Sequence, residues 1–290
     1  MRLNGELCGG LPAMLSFVQI LTRSYLTTVQ IQDILSVLEA VAPPHLQESY
    51  DNAGLIVGDP QDALRGVLFC LDSTESVVEE AISKDCNLIV AHHPIVFRGL
   101  KRLNGANYVE RTVMQAVRHG VAIYAIHTNL DNVYRQGVNA KIAEKLGLQN
   151  TQILLPKLAG QPETGAGLVG DLPSGVSEMA FLERVKSSFH ARCVRHTDLL
   201  GRAVQRVAVC GGAGSFLLAA ARRSGAQAFV TADFKYHEFF DAEGQILIAD
   251  IGHYESEQFT IELLYEIVRE KFPTFALHCT ELNTNPVQYF

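Results

Sequence analysis

The six cysteines of this 290-residue chain (Cys8, Cys70, Cys86, Cys193, Cys210 and Cys279) include no C-x-x-C pair. Several lie inside apolar runs, where a thiol behaves as a small hydrophobe, so reduced thiols and a cytoplasmic location are expected. Cations are also in short supply. With 24 Lys+Arg against 31 Asp+Glu and a formal charge of -7, the chain lacks the basic surplus that neutralising a phosphate backbone needs, which disfavours nucleic acid as its main partner. No stretch reaches the roughly 18 apolar residues of a membrane span. Leu11 to Leu21 is moderately apolar and follows Arg2, but Glu6 and the want of an A-x-A-like cleavage site count against an export signal. Glycine (23) and proline (10) are not enriched, and no internal repeat is visible, so disorder, collagen and solenoids are disfavoured. What is present is a 48% hydrophobic content, enough to close the core of one large or two medium domains.

Residues 1–26 read as an N-terminal extension, with Met14 an alternative start. Thr27 and Gln30 resemble a capping box for a helix whose apolar face is Ile34, Leu35, Leu38 and Val41, ended by Pro43-Pro44. Short β-branched runs then alternate with amphipathic stretches. Strands are predicted at Gly66 to Leu71, Asn87 to Ala91 and Val121 to Ile126, with helices at Glu75 to Lys84 and Tyr108 to Arg118. That alternation implies βαβ units and a largely parallel, buried sheet. Gln152 to Leu172, rich in Pro and Gly, reads as a loop-rich boundary. Beyond it come helices at Met179 to Ser188, Ser215 to Arg223 and Ser256 to Lys271. Strands are expected at Arg192 to Arg195, Val204 to Cys210, Ala228 to Thr231, Ile246 to Ala249 and Phe275 to Cys279. The fold class is therefore α/β, with two α/β domains whose sheets are mostly parallel. One is assembled from 27–150 and 246–290, the other from 151–245.

Three polar clusters follow predicted strands. His92-His93-Pro94 ends the run Asn87 to Ala91, and the carboxyl edge of a parallel sheet is where ligands collect. Imidazole suits Zn, Fe, Ni and Mn; the plainer reading is one packed and one solvated histidine. His127 to Asp131 ends the next strand, bringing a hard carboxylate to the same rim. His127 could ligate or orient a ligand, while Asp131 also fits a turn cap. His253 and Glu257 follow the run Gln245 to Asp250 and, four apart, face one point if the segment is helical. Acidic residues in a helix first turn are the ordinary alternative. Together the three clusters make a mixed N/O set suited to two divalent ions between the domains, at strand carboxyl ends. Weaker candidates are Asp51 and Asn52, which line the site or only form a turn, and Asp233 and His237 after another strand. Gly211 to Gly214 could cradle an anion on backbone amides or be a plain tight turn.

These residues resemble the NIF-three-like family, also labelled GTP cyclohydrolase I type 2. The match is carried by Asp51-Asn52-Ala53-Gly54-Leu55, Ala91-His92-His93-Pro94, His127-Thr128-Asn129-Leu130-Asp131, Thr231-Ala232-Asp233 with Tyr236-His237, and Gly252-His253 with Glu257. It runs from about Thr27 to near the end. The resemblance implies that His92, His93, Asp131, His253 and Glu257 ligate two divalent ions (Zn, Fe, Mn, Ni or Co), with Glu257 bridging, in a toroidal homohexamer. It points to a metal-dependent hydrolase of the GTP cyclohydrolase type, acting on a small nucleotide-like substrate, with His127 or Glu255 moving protons and Asp51, Asn52, Asp233 and His237 near substrate. The alternatives are a phosphoesterase and a non-enzymatic metal scaffold, metallochaperone or storage ring.

Overall fold

The structure, a computed structural model, describes residues 28–157, 160 and 162–290. The N-terminal extension and Thr27 lie outside these residues. Helix α1 (Ile31–Val41) is capped by Gln30, whose N–H donates to Asp33 Oδ2 at 2.8 Å. Strand β1 (Gly54–Val57) precedes β2 (Val67–Cys70), α2 (Glu75–Ser83), β3 (Leu88–Ala91), α3 (Tyr108–His119) and β4 (Ala122–Ala125). A single turn, α4 (Thr128–Asp131), leads to α5 (Val138–Leu146), β5 (Gln149–Pro156), β6 (Gly165–Ser177), α6 (Glu178–Ser188), the short β7 (Arg195–His196) and β8 (Ala203–Ala213). The chain continues through α7 (Leu218–Arg223), β9 (Ala228–Ala232), β10 (Leu247–Asp250), α8 (His253–Glu257) and α9 (Thr260–Lys271), and returns in β11 (Leu277–Cys279).

Two sheets result. The first has the order β1-β4-β3-β2-β11, parallel except for β1. Its inner strands are buried on both faces, as the uninterrupted apolar runs of β2, β3 and β4 require. Val67, Phe69, Leu88 and Val90 face a core shared with α1, α5, α6, α9 and the second sheet. Leu68, Cys70, Ile89 and Ala91 face a separate core with α2 and α3. The second sheet, β5-β6-β8-β9-β10-β7, is mixed, because only β8-β9 and β9-β10 are parallel.

Two expectations are corrected. The Pro- and Gly-rich stretch from Gln152 to Leu172 is largely an antiparallel strand pair, β5 and β6. Its glycines mark close backbone approach rather than a loop: a Cβ on Gly167 would lie 2.8 Å from Leu217 Cδ1 and 2.9 Å from Val209 O. The strand at Leu247–Asp250 does not rejoin the first sheet. It pairs in register with β9, Leu247 opposite Ala228 and Asp250 opposite Thr231, so His253 and Glu257 reach the site from the second sheet.

Candidate metal centre

Parallel strands from both sheets end at one place, and each delivers a polar residue there. His92 and His93 follow β3, His127 follows β4 and opens α4, Asp233 follows β9, and His253 is the first residue of α8 after β10. The side chains of His92, His93, His127, Asp131, His253 and Glu257 form three overlapping groups that could hold a metal ion. These are His92 with His93 and His127, His93 with His253 and Glu257, and His92 with Asp131 and Glu257.

The tautomers are set from behind. His93 Nδ1 donates to Asp72 Oδ1 at 2.8 Å, His127 Nδ1 to Asp51 Oδ1 at 2.8 Å, and His253 Nδ1 to Asp233 Oδ2 at 2.7 Å. His92 Nδ1 donates to the carbonyl of Ile126 at 2.8 Å. A neutral imidazole held in this way keeps its lone pair on Nε2, the arrangement in which histidines ligate metals with a carboxylate or carbonyl behind them. The Nε2 atoms of His93 and His253 stand 3.2 Å apart, and each is 3.0 Å from Glu257 Oε2. Glu257 Oε1 faces His92 Nε2 at 3.9 Å.

Two buried atoms there have no partner within the described residues. His92 Nε2 and Asp131 Oδ1, 3.6 Å apart, are buried without a hydrogen-bond partner, an arrangement that costs free energy unless something satisfies both. Burial and the Glu257 charge push the Asp131 carboxyl up to about 7. Burial works against a charged His93, but its hydrogen bonds to Asp72 and Glu257 outweigh it and raise the pKa to about 9. The same contest at His253, with Glu257 and Asp233 as partners, ends at about 11. Burial opposes ionisation of Glu257, yet His253, His92 and His93 hold it well below the ordinary carboxylate range. Positive charge at this point is what the surrounding carboxylates demand, and the donor set fits divalent cations.

Not every predicted residue joins the cluster. Asp51 does so indirectly, orienting His127 and accepting the N–H of Thr128 at 3.0 Å. Burial disfavours its charge, but these bonds bring its pKa to about 2. Asn52 instead ties down the loop after β3, donating to the carbonyl of Val96 at 2.6 Å. Asp233 supports His253. His237 is exposed among the rings of Tyr236 and Phe240 and belongs to none of the three groups. Glu255 is buried beside the candidate ligands but belongs to none of the three groups; its Oε1 accepts from Asn285 Nδ2 at 3.1 Å.

Two amides of the glycine-rich segment are not free for an anion. The Gly211 amide donates to Asn139 Oδ1 at 3.0 Å and the Gly212 amide to Ser256 Oγ at 2.9 Å, so both are committed. Gly212 makes room for the candidate ligands: a Cβ there would sit 2.5 Å from Glu257 Oε1 and 3.1 Å from His253 Cε1. Sequence reasoning missed Asp72, although it follows the β2 run as the other clusters follow theirs, and Thr284, whose Oγ1 donates to Asp72 Oδ2 at 2.9 Å.

The family model described as Duf34/NIF3 (NGG1p interacting factor 3) matches residues 29–286. The chain belongs to this family. It is 30% identical over 258 residues to a GTP cyclohydrolase 1 type 2 homolog of Clostridium acetobutylicum, covering 89% of this chain and 94% of the relative. It is 34% identical over 263 residues to the Lactococcus lactis protein of the same description, covering 89% and 98%. Among solved structures, a Bacillus cereus protein related to NIF3 matches with a TM-score of 0.83 at 26% identity, covering 91% of this chain and 99% of that one. A Staphylococcus aureus hypothetical protein matches with a TM-score of 0.84 at 29% identity, covering 90% and 99%. The family's two-domain α/β architecture is therefore that of this chain.

A cavity of about 1540 Å³ opens in front of the candidate metal centre, lined by His93, His127, Asp131, His253 and Glu257 and, further out, by Tyr50, Phe97 and Tyr108. No helix among the described residues is long and apolar enough to cross a membrane.

Proposed function

We propose that this protein is a dinuclear divalent-metal-dependent hydrolase for a small nucleotide-like substrate. The observation that carries the reading is the two-sided Glu257 carboxylate. Oε2 serves the His93/His253 side, and Oε1 serves the side where His92 Nε2 and Asp131 Oδ1 are buried without partners. In this reading His92, His93, Asp131, His253 and Glu257 would hold the two ions, with the two Glu257 oxygens turned to opposite sides of the cluster and His127 beside His92 and His93. Two divalent ions bound there would supply Lewis acidity and acidify water at neutral pH.

The chain's own residues do the rest. Asp72, Asp51 and Asp233 fix the imidazole tautomers. Glu255, on the cavity wall and outside the candidate ligand groups, would carry protons in this reading. The cavity favours an enzyme over a storage or chaperone ring, because a storage site needs no room for an organic molecule beside its ions. Family resemblance adds a homohexamer, which light scattering would test.

The test is turnover. Protein loaded with Mn, Fe, Zn or Co would be offered GTP and a panel of phosphoesters and amides, then compared with His92→Ala. Metal-dependent hydrolysis that disappears in His92→Ala is expected. Turnover surviving that change would mark a contaminant, and none with any metal would favour the non-enzymatic ring.

A further inference from the structure

Beyond β11 the chain runs from Thr280 to Phe290 without helix or strand, yet it donates hydrogen bonds to carboxylates of earlier segments. Glu80 on α2 accepts the Thr280 hydroxyl and, at 2.9 Å, the Glu281 N–H. Asp72 accepts the Thr284 hydroxyl at 2.9 Å, and Glu255 accepts the Asn285 side-chain amide at 3.1 Å. The last two carboxylates belong to the surroundings of the candidate centre. Asp72 orients His93, and Glu255 lies between His253 and Glu257 in α8.

The tail also holds its own shape. Asn283 Oδ1 accepts the Asn285 N–H at 2.9 Å and Asn285 Oδ1 the Val287 N–H at 3.0 Å, two side-chain turns that fix the backbone where it faces the cavity. Thr284, Asn285, Pro286, Val287 and Tyr289 all line that cavity. Near its end the tail passes the turn before α8, where a Cβ on Gly252 would lie 3.2 Å from the Tyr289 hydroxyl oxygen.

The Thr284 contact repeats an arrangement that the chain makes elsewhere from neighbouring residues. Asp51 gives Oδ1 to His127 Nδ1, and its Oδ2 accepts the Thr128 hydroxyl. Asp72 gives Oδ1 to His93 Nδ1, and its Oδ2 accepts the Thr284 hydroxyl. In each pair the histidine takes one carboxylate oxygen and a threonine takes the other. The terminal torsion of an aspartate is broad, so a carboxylate held on one oxygen can swing, whereas one held on both keeps its acceptor aimed at the imidazole. For His127 the threonine is the next residue in the chain. For His93 it stands in the tail, 212 positions from Asp72.

We propose that Thr284 is a positioning residue of the candidate metal centre, which by holding Asp72 fixes the His93 imidazole and makes the C-terminal tail a working part of the site. This rests on the reading of the cluster as a metal centre and not on the hydrolase reading.

The experiment is the affinity of full-length protein for Zn and for Mn, measured by competition against a fluorescent chelator. The variants are Thr284→Val, Thr284→Ser, Asp72→Ala and the double variant Asp72→Ala/Thr284→Val. Thr284→Val keeps the shape of the side chain and removes the hydroxyl. It is expected to weaken metal binding about tenfold, the low end of what an outer partner of a ligating histidine contributes, while Thr284→Ser stays within about twofold of wild type. Thr284→Ala makes the same deletion with less bulk and should behave as Thr284→Val does. In the Asp72→Ala background Thr284→Val should change nothing further, because the hydroxyl acts through that carboxylate. A Thr284→Val affinity equal to that of wild type would overturn the proposal. So would an equal loss with and without Asp72, the result expected if the tail only packs against the cavity. Wild type that binds neither metal would overturn the metal reading and this proposal with it, so the two failures are told apart.

Discussion

Glu257 stands one helical turn beyond His253 with its Oε2 3.0 Å from the imidazole Nε2. The i, i+4 spacing brings the pair together only because α8 begins at His253 itself. From that position the carboxylate also reaches His93 with the same oxygen and faces His92 with the other. Its loss should therefore damage two of the three groups at once. Glu257→Ala is expected to reduce bound metal to less than half of the wild-type content, while Glu255→Ala retains it. Elemental analysis of both purified variants decides the point, and equal losses would mean that Glu255 is also a ligand.

The aspartates behind the imidazoles should matter almost as much as the candidate ligands. Asp72→Ala and Asp233→Ala remove the acceptors that fix His93 and His253, and each should weaken metal binding by about 10–100-fold. Competition against a fluorescent chelator measures this. Affinities within twofold of wild type would show that the tautomers are set by something else.

Two glycines share one backbone conformation and differ in their surroundings. Gly120 and Gly212 both have φ of +61°, but a Cβ on Gly120 meets nothing within 4 Å, whereas one on Gly212 would press on Glu257. Gly120→Ala should cost about 1 kcal/mol, the usual left-handed penalty. Gly212→Ala should cost more than that and should also lose metal. Thermal melts with metal analysis on the same samples separate the two effects.

Much of the candidate site could be read from the chain because each cluster trails an apolar run. His92-His93, His127 to Asp131 and His253 with Glu257 are local signals, and a parallel sheet carries such ends to one edge. Partnerships across long sequence separation left no such trace. Nothing near Asp51 marks it as the acceptor for His127, 76 residues away. A lone aspartate such as Asp72 looks like any turn residue. The β5-β6 pair was hidden because its glycines, placed for close strand contact, carry the same compositional mark as a loop. The membership of Leu247–Asp250 depends on pairing with β9, which strand propensity cannot specify.

Thiol chemistry checks the packing away from ligand binding. Burial raises the Cys70 thiol far above its ordinary pKa, so it remains protonated at mildly alkaline pH and out of reach of reagents. Cys193 is exposed. Maleimide labelling at pH 8 mapped by mass spectrometry should modify Cys193 in the folded protein, and Cys70 only after denaturation. Rapid labelling of Cys70 in the native protein would mean that the strand end before Asp72 is not packed as described.

The number of ions bound per chain bears most directly on the dinuclear centre. Protein stripped with chelator, reloaded anaerobically with Mn, Fe, Zn or Co and freed of excess metal should hold about two ions per chain for at least one of these metals, since two ions are what a carboxylate-bridged site of this kind accommodates. The count should fall in His92→Ala and in Asp131→Ala. A stoichiometry of one or none with every metal, measured by elemental analysis on folded protein, would contradict the shared Glu257 arrangement.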